Sequence, residues 1–102
     1  MMPRIARAIA QPDTSVRVEW TDGSIDVIDF KPIVAHGGVM AALADRAFFV
    51  SGMQVDAEGY SLGWPSTPAS PAEVGGIDFS AQGLWYRAHP DDLKRDHPAA
   101  AE

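Results

Sequence analysis

The feature that most constrains this chain is an Asp22-Gly23 pair set between two alternating stretches, Val16 to Trp20 and Ile25 to Asp29. Asp-Gly tolerates the positive φ angles of a two-residue type I′ turn, and alternating strands on both sides read as an antiparallel hairpin. A two-residue loop places Thr21 opposite Ser24, Trp20 opposite Ile25, Glu19 opposite Asp26, Val18 opposite Val27 and Val16 opposite Asp29. One face is then Val16, Val18, Trp20, Ile25 and Val27. The other carries Arg17, Glu19 and Asp26 with Ile28 as its one apolar member, and Arg17, diagonal to Asp26, offsets the Glu19/Asp26 repulsion. A slip of one residue would turn the apolar set into water, which predicts this register over its neighbours.

Around that hairpin the rest of the chain can be ordered. Arg4 to Ala10 alternates weakly and ends at Gln11-Pro12-Asp13-Thr14-Ser15, which has turn composition, so residues 4–30 read as a three-strand meander. Phe30 to Ala35 begins a helical turn with Pro32 early, where its missing N–H is harmless, and His36-Gly37-Gly38 stops it. A second short helix is expected over Val39 to Ala44. Phe48 and Phe49 read as core anchors. Gly52 to Val55 and Tyr60 to Trp64 form a second hairpin across Asp56-Ala57-Glu58-Gly59, with Val55 facing Tyr60 and Met53 facing Leu62. Pro65 to Gly76 is rich in Pro, Ser and Gly and reads as a loop. Ser80 is a plausible N-cap for a helical pattern containing Leu84.

These elements predict one α+β domain over residues 1–88, with 65–76 as its loop and 89–102 as a flexible polar tail. The antiparallel sheet comes from the N-terminal three-strand meander and the second hairpin, with short helices on one face. At 102 residues and 46% apolar content the chain can bury a modest core. No apolar run approaches membrane-spanning length and the N-terminus lacks a secretory pattern, which predicts a cytoplasmic protein that does not enter membranes. The absence of cysteine removes disulfides, thiolate catalysis and thiolate metal sites. Fourteen acids against eight bases give a formal charge of −6, so direct nucleic-acid binding is disfavoured.

The sequence offers little chemistry. No nucleophile elbow, phosphate loop, dinucleotide fingerprint or zincin helix occurs. His36 beside Gly37-Gly38 reads more simply as a turn histidine than as a base. His89, Asp91, Asp92, Asp96 and His97 could in principle hold a metal, but in a polar tail they lack the fixed second shell that a site needs, so neither metal nor cofactor is expected. Asp29 is either a general base or, as preferred here, the acceptor for backbone N–H groups at the Lys31 to Ile33 helix start. Trp20, Phe30, Phe48, Phe49, Tyr60 and Trp64 fall on faces assigned to the core. Trp85 and Tyr86 are adjacent on a helix and cannot both face inward, so an exposed aromatic beside Arg87 suits a protein contact.

Taken in order, Asp22-Gly23, Val27-Ile28-Asp29-Phe30-Lys31-Pro32, Leu43-Ala44-Asp45, Phe49, Val55-Asp56, Gly59 and Leu62-Gly63-Trp64-Pro65 resemble the bacterial domain-of-unknown-function family 2442. The likeness covers roughly residues 4–86. Lys31 stands where the family usually carries a small polar residue, and the 65–76 loop is longer than the usual connection. The resemblance implies a small α+β domain without established enzymatic activity, in which Asp22, Gly23, Asp29, Pro32, Gly59, Trp64 and Pro65 are structural positions. Some relatives join a similar domain to a helix-turn-helix and others sit beside small toxin-like proteins, which implies regulatory or partner-binding work.

The function expected is therefore that of a non-catalytic accessory module binding another protein through Trp85, Tyr86, Arg87, Glu19 and Asp26, with a homodimer possible. Two other readings stay open: an acidic inhibitor that masks a nucleic-acid-binding surface of its target, and a small-molecule binder or enzyme with a pocket near Asp29, His36 and Trp64.

Overall fold

A computed structural model describes residues 3–65 and 76–96. Strands β1 (Ile5–Gln11), β2 (Ser15–Trp20) and β3 (Ile25–Asp29) form an antiparallel meander in the order β1-β2-β3. Its two turns are built alike. Gln11 pairs with Ser15 across Pro12-Asp13-Thr14, and the Trp20 N–H donates to the Ser24 carbonyl (2.9 Å) across Thr21-Asp22-Gly23. In each, the third loop residue takes a positive φ (Thr14 65°, Gly23 90°) and donates its N–H back to the residue before the loop. This is the three-residue hairpin loop, a type I turn closed by a left-handed residue. In each, too, the aspartate at the centre accepts from the backbone N–H and hydroxyl of the serine that follows, Asp13 from Ser15 and Asp22 from Ser24.

The third loop residue overturns the expected register. Asp22 keeps a negative φ and only Gly23 is left-handed, so the loop is one residue longer than a type I′ turn. Val18 pairs with Asp26, Arg17 with Val27, Glu19 with Ile25 and Val16 with Ile28. The two-residue alternative would hold Asp22 as well as Gly23 in the left-handed region, which aspartate tolerates but which glycine alone adopts freely. With Asp22 in an ordinary conformation, its carboxylate also closes the turn onto Ser24.

A second antiparallel sheet contains β4 (Gln54–Val55), β5 (Ser61–Pro65) and β6 (Gly76–Ser80), in that order. Antiparallel strands with short helices are as expected. The strands are divided between two sheets, and β6 is a strand where the sequence suggests only a lead-in to a helix. Ile77 is buried and Phe79 partly buried while Asp78 between them is exposed, the alternation of a half-buried strand. Val55 pairs with Leu62, not with Tyr60, because the Asp56 N–H donates to the Ser61 carbonyl (2.9 Å) and the loop moves one residue along. The pairing thereby shifts by two positions. Tyr60, assigned to the core, is 60% exposed. Residues 66–75, most of the expected loop, lie outside the described residues.

The sheets meet at Gly59, whose carbonyl accepts from the Ile5 N–H (2.8 Å). A Cβ on Gly59 would stand 2.3 Å from the Ile5 carbonyl oxygen, so the close approach requires glycine. Helix α1 (Lys31–Ala35) starts with Pro32 in its first turn, as expected, and ends at His36. The expected Val39–Ala44 helix is a 3-10 helix over Gly38–Ala44. Helix α2 (Arg46–Gly52) is an addition to the expected elements; Asp45 caps it by accepting from the Phe48 N–H (3.1 Å), and it turns Phe48 and Phe49 into the core. Helix α3 (Ala81–Ala88) begins at the expected Ser80 cap.

Aromatic side chains dominate the centre. Phe30, fully buried, meets Phe49, Trp64 and Phe79 edge-on, and Phe49 stacks on Trp64 at 5.2 Å. The Trp64 indole N–H donates to the Phe49 carbonyl (2.9 Å), so the one polar atom of that ring is satisfied. Part of the segment expected as a tail is among the described residues. Helix α4 spans Pro90–Asp96, and residues 97–102 lie outside the described residues.

Candidate functional site

The altered register exchanges the faces of β3. Ile25 and Val27, expected in the core, point away from it and are 49% and 61% exposed, whereas Ile28 is buried. They stand in rows that cross the outer face of the first sheet: Arg7, Glu19, Ile25 and, next to it, Ile9, Arg17, Val27. Glu19 faces outward and is held between Arg17 (3.5 Å) and Arg7 (3.9 Å). Arg17 therefore offsets no Glu19/Asp26 repulsion, because Asp26 lies on the other face. β3 is also an edge strand, paired only with β2 among the described residues. The Phe30 N–H to Thr14 carbonyl bond (2.9 Å) and the Trp20–Ser24 bond fix the alternation, which aims the backbone N–H and C=O groups of Ile25, Val27 and Asp29 outward from the sheet.

Asp26 is turned inward and becomes the hub of a polar and aromatic cluster. Its Oδ2 accepts from the Trp20 indole N–H and from His89 Nε2–H, each at 2.7 Å. Trp85 stacks on the His89 ring (4.1 Å between centroids) and meets Trp20 edge-on (5.0 Å). The Trp85 indole N–H donates to Asp92 Oδ2 (3.2 Å), and Asp92 is also paired with Arg95. This cluster ties α3 and α4 to the first sheet. Of the five residues expected to bind a partner, Asp26 and Trp85 thus face each other's neighbours inside the molecule. Glu19 is on the outer face, Arg87 is exposed on α3, and Tyr86 is half-buried. The five do not form one patch.

The residues of the imagined pocket also separate. Asp29 Oδ1 accepts from the Lys31 N–H (2.9 Å), an Asx-type bond of the kind preferred from sequence, and His36 is exposed at the end of α1. Trp64 borders a shallow cleft of about 220 Å³ with Gln54, Val55, Asp56, Ser61, Gly63 and Asp78, and neither Asp29 nor His36 is in its walls. Asp22, Gly23 and Gly59 serve turns and Pro65 ends β5. No group of three or more His, Cys, Asp or Glu side chains is placed to hold a metal among the described residues. His97 lies outside them. Ser24's hydroxyl and N–H hold the Asp22 carboxyl below the usual carboxylate range, and Ser15 does the same for Asp13.

Sequence reasoning missed Ile25, Val27 and His89. The signal for the first two was present in Ser24, which follows Asp-Gly as Ser15 follows Asp13 and Thr14. For His89 no local signal existed, since its partner is 63 positions away.

Among the described residues, no helix is long and apolar enough to cross a membrane. A search of curated proteins finds no match. A solved protein of unknown function from Rhodospirillum rubrum ATCC 11170 is similar in fold, with 23% identity, a TM-score of 0.53, and coverage of 81% of this chain and 84% of that one. The family described as "Protein of unknown function (DUF2442)" matches residues 5–90, from the first strand past His89. The chain belongs to the DUF2442 family.

Proposed function

We propose that this protein is a non-catalytic accessory or regulatory module of the bacterial cytoplasm that acts by binding another polypeptide. The observation supporting this is β3: an edge strand with outward backbone groups and two large apolar side chains, Ile25 and Val27, in water. Their surroundings are Arg17, Glu19 and Asp29, a polar border of the kind that rims a contact surface. The chemistry of the other candidates supports an architectural role instead. Asp29 is engaged at a helix start, and Asp26 with His89 is committed to two tryptophans.

Capture from lysate with the tagged protein and with Val27→Lys, each at low and high salt, tests this. A partner retained by the wild type and lost by the variant, with unchanged melting, is the expected result. Equal capture by both, or none by either, untagged copies of this chain counted among the partners, would refute it. A partner lost from both at high salt would instead favour the acidic inhibitor reading, which draws on the net charge of −6.

A further inference from the structure

We infer that the polypeptide bound at β3 is a second copy of this chain, joined edge to edge about a two-fold axis at Val27 to make one continuous sheet. This rests on the reading of β3 as a contact surface. The outward N–H and C=O groups recur at Ile25, Val27 and Asp29, evenly spaced about Val27. An antiparallel copy placed on that axis exchanges bonds between Val27 and Val27, and between Ile25 of one copy and Asp29 of the other, twice by symmetry. Every outward group of the strand then finds a partner, and neither copy keeps this edge.

Side chains agree with the same axis. Val27 of each copy lies beside its equivalent, and Ile25 of each lies diagonal to Val27 of the other, so the two exposed apolar residues of the strand become one apolar patch. Asp29 is 59% exposed and stays at the solvated outer surface beside Ile25. Charge is complementary at both ends. Lys31, 67% exposed and just beyond Asp29, is brought toward the Asp22 turn of the other copy, and Lys31 of that copy toward Asp22 of the first. Such an interface is isologous and closes on itself as a dimer.

Sedimentation of the wild type over a range from low micromolar to near-millimolar concentration tests the inference, beside Val27→Pro, Val27→Lys and Lys31→Glu. Proline is tolerated on an edge strand where the N–H faces outward, so Val27→Pro spares the pairing with β2 while removing the donor offered to the other copy and the valine side chain beside it. The expected result is a reversible dimer in the wild type, weakened about tenfold or more by either Val27 variant and several-fold by Lys31→Glu, with native circular dichroism throughout. A wild type that is monomeric at every concentration overturns the second copy as occupant. A dimer indifferent to Val27→Pro overturns edge pairing. Should Val27→Pro unfold the chain, slow amide exchange at Ile25, Val27 and Asp29 in concentrated wild type that becomes fast on dilution supports the dimer; exchange independent of concentration refutes it. None of these failures touches the broader protein-binding reading, which the lysate capture with Val27→Lys judges separately.

Discussion

The two hairpins closed by an aspartate and a glycine depart from their expected registers by different amounts, and the parity of the departure decides how much of the surface changes. At Thr21-Asp22-Gly23 the pairing moves by one position, so β3 turns over: Ile25 and Val27 go to water, and Asp26 and Ile28 go inward. At Asp56 to Gly59 it moves by two, so Val55 and Leu62 stay on the inner face and little changes except Tyr60 at the loop end. A side-chain period of two makes an odd slip rewrite a surface and an even slip preserve it. In the first hairpin the turn overrides the hydrophobic pattern, helped by an interior polar group that has two partners waiting for it.

The contrast can be pressed experimentally, beginning with the two loop glycines. Both have positive φ, but Gly59 is pressed against Ile5 whereas nothing lies within 4 Å of a Cβ on Gly23. Thermal denaturation should therefore show Gly59→Ala losing about 3 kcal/mol or more and Gly23→Ala only about 1 kcal/mol. Equal losses would mean that the joint between the sheets is not close-packed. Next comes Asp26→Ala, which leaves the Trp20 N–H and His89 without their acceptor and should cost about 2 kcal/mol. In the type I′ register the same substitution would lie on the solvated face and cost almost nothing, so a chemical denaturation curve separates the two registers directly.

A smaller effect of opposite sign is expected at Thr14, a β-branched residue at φ 65° in a turn otherwise like that of Gly23. Thr14→Gly should raise stability by up to about 1 kcal/mol, and a loss would show that the threonine side chain contributes more than its strain removes. The smallest effect concerns pH. The Asp22 carboxyl lies below its ordinary value of 3.8 because Ser24 bonds the ionised form. Its contribution is complete above that value and is lost as pH falls through the lower folded pKa. The gap in melting temperature between wild type and Asp22→Asn should accordingly be constant near neutrality and narrow below pH 3.8. A gap that widens on acidification would contradict the turn chemistry.

The range over which each interaction acts separates the features legible in the sequence from those hidden in it. Caps and turns are local, and Ser80, Pro32 and the aspartate at 29 could be read from their immediate neighbours. The class of fold emerged from two alternating hairpins and short helical pieces. Register is a contest between turn geometry and side-chain burial, and the outcome depended on Asp26 meeting His89, a contact no window of sequence contains. Helix α2 was hidden because Phe48 and Phe49 dominate a short segment whose only start signal is Asp45. β6 was hidden because five residues with one alternation carry little information without the β5 strand beside them. The candidate surface was missed for the same reason as the register: its residues are apolar, and apolar residues in a strand are assigned inward unless the turn says otherwise.

The placing of the three tryptophans has an optical consequence. Trp64 lies against Phe49 and Phe30, and its light emission reports on the aromatic centre around the second sheet. Trp20 and Trp85 form a nearly perpendicular pair at the far cluster, with the Trp85 ring also stacked on an imidazole that can quench it. Coupled transitions in that pair should give a near-ultraviolet dichroic signal that Trp64 does not share. The protein therefore carries a separate native dye in each half, and unfolding followed by both signals will show whether the halves melt as one cooperative unit or in turn.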